Sequence, residues 1–123
     1  MPRTQEQFGN LAVLRDSVLS KVSPKNYNHG SWYTHDDAVC ALEHAKRSGI
    51  WDEEFSDIRK ADAADRIFGE GSYDNIFNAY AFARLHPSHV TLDMVRNRLT
   101  EIIGDGPTVR NRIRNWFASL RWV

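Results

Sequence analysis

Apolar residues recur at three- and four-residue spacing through most of the chain and no segment alternates with period two, so the pattern predicts helices and no sheet. Phe8, Leu11, Leu14, Val18 and Val22 mark a first helix over residues 5–22, ended by Ser23-Pro24. Thr34, with Asp37 three residues on, resembles a capping box and opens a second helix that Gly49 stops after Ser48; its inward stripe is Ala38, Ala41, Leu42 and Ala45. Ser56 or Asp57 caps a third helix to about Phe68, with Ile58, Ala61, Ala64, Ile67 and Phe68 facing inward. Residues 72–85 form the fourth, with Ser72 as its cap: at about 100° per residue Tyr73, Ile76, Phe77, Tyr80 and Ala83 share one face, and Phe82 and Leu85 point the other way. Only Asp74, Asn75 and Asn78 give it a polar window, so it is expected to be buried at the centre.

His86-Pro87 breaks that helix, because proline cannot continue the ladder and restricts the residue before it. Thr91 caps a fifth helix over 92–103, with Leu92, Val95, Leu99, Ile102 and Ile103 inward. Gly104-Asp105-Gly106-Pro107 stops it and starts a last helix to about Arg121, carrying Val109, Ile113, Trp116, Phe117 and Leu120 on one face. The connectors are expected to be pinned by aromatics: Tyr27, Trp32 or Tyr33 in the loop at 25–33, and the apolar members of residues 50–55. The expected fold is all-α, a single compact domain over residues 1–123 of about six helices around a central buried helix.

A chain of 123 residues that is 41% hydrophobic can bury a core without staples, and its single Cys40 excludes an intramolecular disulfide framework. No apolar run reaches the roughly 18 residues that suggest a membrane span, and the first residues lack the apolar region of a signal peptide, so a cytoplasmic protein is expected. Net charge is zero, but it is segregated: residues 1–35 hold four Lys/Arg and two Asp/Glu, residues 36–85 six and eleven, residues 86–123 six and three. A local basic surface, not a global field, would have to attract an anionic partner.

Sliding the chain by 35 residues lays Ile67 on Ile102, Gly69 and Gly71 on Gly104 and Gly106, and Phe82, Ala83 and Leu85 on Phe117, Ala118 and Leu120. Each copy reads helix, Gly-acid-Gly turn, helix, the outline of a helix-turn-helix or of any helical hairpin. A helix over 34–49, then Ile58-Arg59, Ile67, Gly69, Gly71, Ser72 and Ile76, resembles the N-terminal helix-turn-helix module of plasmid KfrA-type DNA-binding proteins. The resemblance implies DNA binding with a recognition helix on residues 72–85, whose one cation is Arg84; the long coiled coil that usually follows in that family has no counterpart here.

The polar signal that stands out is Arg96, Asn97 and Arg98, then Arg110, Asn111, Arg112, Arg114, Asn115 and Arg121. On the last helix Arg110, Arg114 and Arg121 fall within about 40° of one another, a spacing that lets guanidinium groups meet successive phosphates while asparagines reach bases or sugars. The plainer account of such an array is a solvated basic flank pairing with Glu101, Asp105 or the acidic middle of the chain. Asp37, Cys40 and His44 share the polar side of the second helix, but no fourth ligand lies at zinc spacing, so no metal or other cofactor is expected. Arg84 and His89 match the loose arginine-to-histidine spacing of HEPN-type ribonucleases, although Leu85 follows the arginine and Pro87 interrupts the motif.

These features lead to an expected function without catalysis: a regulatory or accessory protein that binds nucleic acid, DNA first, through Arg96, Arg98, Arg110, Asn111, Arg112, Arg114 and Arg121. Two-fold DNA sites would favour a homodimer. The alternative is an inhibitor or immunity-type protein of a mobile element, presenting Asp52, Glu53, Glu54 and Asp57 to a basic protein partner.

Overall fold

A computed structural model describes residues 2–29, 38–51 and 60–104. Among them the chain is all-α, as the periodicity predicts: α1 covers Gln5–Val13, α2 Ala41–Ser48, α3 Lys60–Phe68 and α4 Leu92–Gly104, with short π and 3-10 turns between them. The predicted last helix, the Thr34/Asp37 cap and the acidic residues 52–57 lie outside the described residues. No described helix is long and apolar enough to cross a membrane.

Thr4 opens α1 with a reciprocal capping box: its hydroxyl accepts from the Gln7 amide, and the Gln7 side chain accepts from the Thr4 amide. Leu11, Leu14 and Val18 are buried as expected. The helix then widens into a π turn, Leu14–Val18, in which the Leu19 amide reaches back five residues to the Leu14 carbonyl. The wider turn rotates the following residues, so Leu19 is fully buried and the predicted core residue Val22 is only partly so.

Helix α2 starts at Ala41, so the expected helix does not run continuously to Ser48. Residues 38–40 are not helical, because Val39 pairs with the 26–28 strand-like segment: its amide donates to the Asn26 carbonyl at 3.2 Å and its carbonyl accepts from the Asn28 amide at 3.1 Å. Cys40, expected on a half-buried flank, is 1% exposed, and burial pushes its thiol up to about 11. Two connector aromatics pin down as expected: Tyr27 packs against the core, and Trp51 meets Phe68 edge-on at 5.1 Å.

The principal correction concerns residues 72–85. Only Tyr73–Phe77 is helical, as a single π turn, and residues 78–85 follow as bends and turns. Ile76 and Phe77 still sit in the middle of the core, but Tyr80, predicted to face inward, is 68% exposed. The helical ladder fails because its acceptors are taken. The Asn75 carbonyl accepts from Arg98, and the Asn78 carbonyl accepts from Ala81 and from His29. The Asn78 side chain, meanwhile, holds the Tyr80 amide at 2.9 Å. Asparagine side chains compete with helical hydrogen bonding in this way.

The N-terminal segment and α3 are joined by a polar seam. Arg3 Nε donates to the Phe68 carbonyl at 3.0 Å, Gln7 Nε2 to that of Arg66 at 3.2 Å and Asn10 Nδ2 to that of Ile67 at 2.8 Å, satisfying carbonyls that the end of α3 leaves open. Arg3 also donates to Ser72 Oγ, so it spans the turn that follows. Gly69 makes this possible: its φ is +112°, and a Cβ there would lie 2.5 Å from Arg3 Cγ. Gly69→Ala should therefore cost about 1–3 kcal/mol by combining left-handed strain with displacement of Arg3. Urea unfolding should show the loss, and a variant as stable as the parent would remove Arg3 and Gly69 from the account of this turn.

Candidate nucleic-acid interface

Of the seven basic-face residues, Arg96 and Arg98 are described; Arg110, Asn111, Arg112, Arg114 and Arg121 lie outside the described residues, as do Asp52, Glu53, Glu54 and Asp57. The two arginines are carried by α4, whose Thr91 hydroxyl accepts the Met94 amide at 3.2 Å, the predicted N-cap. Leu92, Val95 and Leu99 turn into the core and leave Arg96 and Arg98 half-buried along its edges.

Their surroundings differ. Arg96 lies near Asp16, whose carboxyl is held below its ordinary range by its hydrogen bond with Arg15 first and by the charges of Arg15 and Arg96 after that. Arg15 in turn reaches Thr100 of α4 at 3.3 Å. The Arg96 Nε is buried with no hydrogen-bond partner among the described residues. The acid near this end of the basic face is Asp16 of the N-terminal segment, not Glu101, Asp105 or the acidic middle that the solvated-flank account names.

Arg98 turns the other way, over the 78–85 loop. Its Nη1 donates to the Asn75 carbonyl, to Asn75 Oδ1 at 3.1 Å and to the Ala81 carbonyl at 3.5 Å, while the guanidinium carbon stands 4.1 Å from the centroid of Phe82. Charge-assisted bonds to carbonyls and a cation over a ring both hold the loop in place. Arg98 also lines, with Phe82, Ala83, Arg84 and Leu85, a shallow cavity of about 250 Å³. Arg84, foreseen as the lone cation of a recognition helix and as part of the arginine-to-histidine spacing, is exposed on a loop beside Arg98. From residue 75 to residue 91 the chain has no Asp or Glu. Within that stretch His86 Nδ1 caps the 3-10 turn Pro87–His89, and the His86 and His89 rings meet edge-on at 6.4 Å.

Beneath the loop lies a buried relay. His29, 2% exposed, faces the Asn78 carbonyl with Nε2 at 2.9 Å and the Tyr27 hydroxyl with Nδ1 at 2.7 Å. A carbonyl can only accept, so the proton is on Nε2 and Nδ1 accepts from Tyr27. The Tyr27 oxygen takes the Ala41 amide, and burial raises its phenol well above its ordinary range, so it stays a donor. The His29 ring also meets Phe82 edge-on at 5.7 Å, so Phe82 is fixed from below by His29 and from above by Arg98. His44, considered with Asp37 and Cys40 for a metal, donates Nε2 to the Asn26 carbonyl at 2.8 Å and stacks on Tyr27. Among the described residues no three metal-ligating side chains cluster.

Sequence periodicity missed this arrangement because Asn75 meets Arg98 across 23 residues and Asn78 meets His29 across 49, and local pattern carries no sign of such bonds. The visible sign was chemical: two asparagines inside an otherwise apolar helix pattern.

Removing Arg98 breaks both the carbonyl clamp and the contact with Phe82. Arg98→Ala should lower stability by about 1–3 kcal/mol, measured by urea unfolding, and Arg98→Lys should recover only part of it because an ammonium cannot stack as a planar guanidinium does. Burial of His29 lowers its pKa from the ordinary 6.5 more than its bond to the Asn78 carbonyl raises it. The folded chain thus binds fewer protons than the unfolded one, so the His29 contribution is complete above about 6.5 and is lost as pH falls through the lower folded-state value. The urea midpoint should fall between about pH 7.5 and 5.5 more steeply for the parent than for His29→Gln; equal slopes would exclude His29 as the cause.

No protein-family model matches the chain, nor does any curated protein or solved structure.

Proposed function

We propose that this protein is a small nucleic-acid-binding regulator or accessory factor without catalysis, with DNA as its first target. The observation that carries the reading is the placement of Arg84, on a stretch of chain free of acidic residues, and Arg98 of α4 around one cavity. Phosphate binding needs cations that can approach without a carboxylate beside them in the chain, and Arg84 on that stretch is one. Arg110, Asn111, Arg112, Arg114 and Arg121 would extend the surface, being the densest basic run in the chain. The KfrA-like pattern of residues supports DNA binding but not groove reading by residues 72–85, since helix there is confined to Tyr73–Phe77.

A second reading keeps the protein-binding alternative. Ile50 is 48% exposed and stands two residues before the acidic run Asp52, Glu53 and Glu54. An exposed apolar residue followed in the chain by three acids suits a basic protein partner.

Fluorescence anisotropy of labelled mixed-sequence DNA at roughly 50 and 200 mM salt tests the leading reading: each phosphate contact should add about −0.9 to the log-log slope for duplex DNA. The Arg110→Ala/Arg114→Ala variant should flatten that slope by about two contacts and weaken binding at both salts. Binding unaltered by the double substitution would overturn the assignment of those residues. Absence of binding at the lower salt would overturn the nucleic-acid reading and leave the acidic surface as the one to test, by capture of a partner that charge reversal at Glu53 and Glu54 abolishes.

A further inference from the structure

Three large apolar side chains are markedly exposed among the described residues, and two of them, Tyr80 at 68% and Leu85 at 39%, belong to the 78–85 loop. The loop is nevertheless well tied. Asn78 holds it through its carbonyl to Ala81 and His29 and through its side chain to the Tyr80 amide, and Arg98 holds it at Asn75 and Ala81. Tyr80 is thus an aromatic ring presented to solvent on a fixed backbone. Two residues on, Phe82 carries the Arg98 guanidinium on its face, and Arg84 stands exposed on the same cavity. At about 250 Å³ the cavity falls below the usual range for sites that engulf a small molecule. It suits an extended partner that lays down one ring or one phosphate at a time.

We propose that residues 78–85, with Arg98, form a platform for single-stranded nucleic acid: Tyr80 stacks a base, and Arg84 and Arg98 meet the phosphates next to it. The proposal rests on the nucleic-acid reading above and specifies its substrate class. Base faces are open to stacking in a single strand and closed in a duplex, and an exposed tyrosine on the same short loop as an exposed arginine offers the stacking and the charge that single-strand binders combine. A sequence of turns, moreover, has no helix to lay in a major groove. The pre-tied backbone removes part of the ordering cost of binding. The absence of Asp and Glu from residues 75–91 leaves the phosphates facing only neutral or basic side chains along this segment.

The test is a titration of the full chain into labelled oligo-dT of about 16 nucleotides and a mixed-sequence duplex of the same length, at roughly 50 mM salt. Oligo-dT should bind more tightly than the duplex. Tyr80→Ala should weaken oligo-dT about tenfold or more, Tyr80→Phe should stay within about threefold of the parent, and Arg84→Gln should weaken oligo-dT and reduce its salt slope by about 0.7. Because Tyr80 and Arg84 are exposed, thermal melts should confirm that the three variants fold. Unchanged oligo-dT affinity in Tyr80→Ala overturns the platform; if duplex binding persists with its salt slope, the broader nucleic-acid reading survives that result. Binding to neither probe overturns both. Competition by poly-glutamate as effective as that by unlabelled oligo-dT at equal charge also overturns the platform, and assigns the face to an acidic polypeptide.

Discussion

The C-terminal end of α3 is where the described fold is held together. A helix end leaves carbonyls without amide partners, and here those of Arg66, Ile67 and Phe68 are taken by Gln7, Asn10 and Arg3 from the first ten residues of the chain. One polar seam therefore fixes the position of α1 along α3, closes the Gly69 turn through Arg3 and delivers the chain into the Tyr73–Phe77 turn at a set angle. Asp65 contributes from the same helix, its Oδ1 accepting the Tyr73 amide at 2.9 Å. The apolar packing of Leu11, Phe68, Ile76 and Phe77 accounts for burial, while these directional bonds determine which of several apolar packings is adopted.

Much of this was legible in the residues. Periodicity located four of the helices, Thr91 declared its cap and Gly69 its turn, and the core faces of α3 and α4 match at Ala64, Ile67, Phe68, Leu92, Val95 and Leu99. The T-x-x-Q cap at Thr4 was present in the sequence, although periodicity alone placed that helix start. What could not be read has a common cause. The π turn at Leu14–Val18 has no residue signature, so the switch from Val22 to Leu19 in the core was hidden. The failure of the helix after Phe77 depends on donors from His29 and Arg98, distant in the chain, and periodicity assumes that every backbone acceptor is spent locally.

The candidate site shows the same limit from the functional side. Composition identified arginines as the residues to watch but assigned Arg98 to a uniform basic stripe. In three dimensions Arg96 turns toward Asp16 while Arg98 clamps the 78–85 loop, so neighbours in sequence have separate electrostatic surroundings. Arg84 and Tyr80, assigned to a helix, become the accessible members of the surface because that helix stops early. An error in secondary structure thus concealed the most accessible part of the chemistry.

The position of Arg98 has a consequence for how such a surface can diverge. The same guanidinium anchors the loop backbone and lines the cavity, so a substitution that reshaped the cavity there would also loosen the scaffold. Arg84 and Tyr80 carry no comparable structural duty that would resist replacement. If the surface binds as proposed, variation in recognition would accumulate at those two positions, with Arg98 and Asn78 held back as the frame on which it is written.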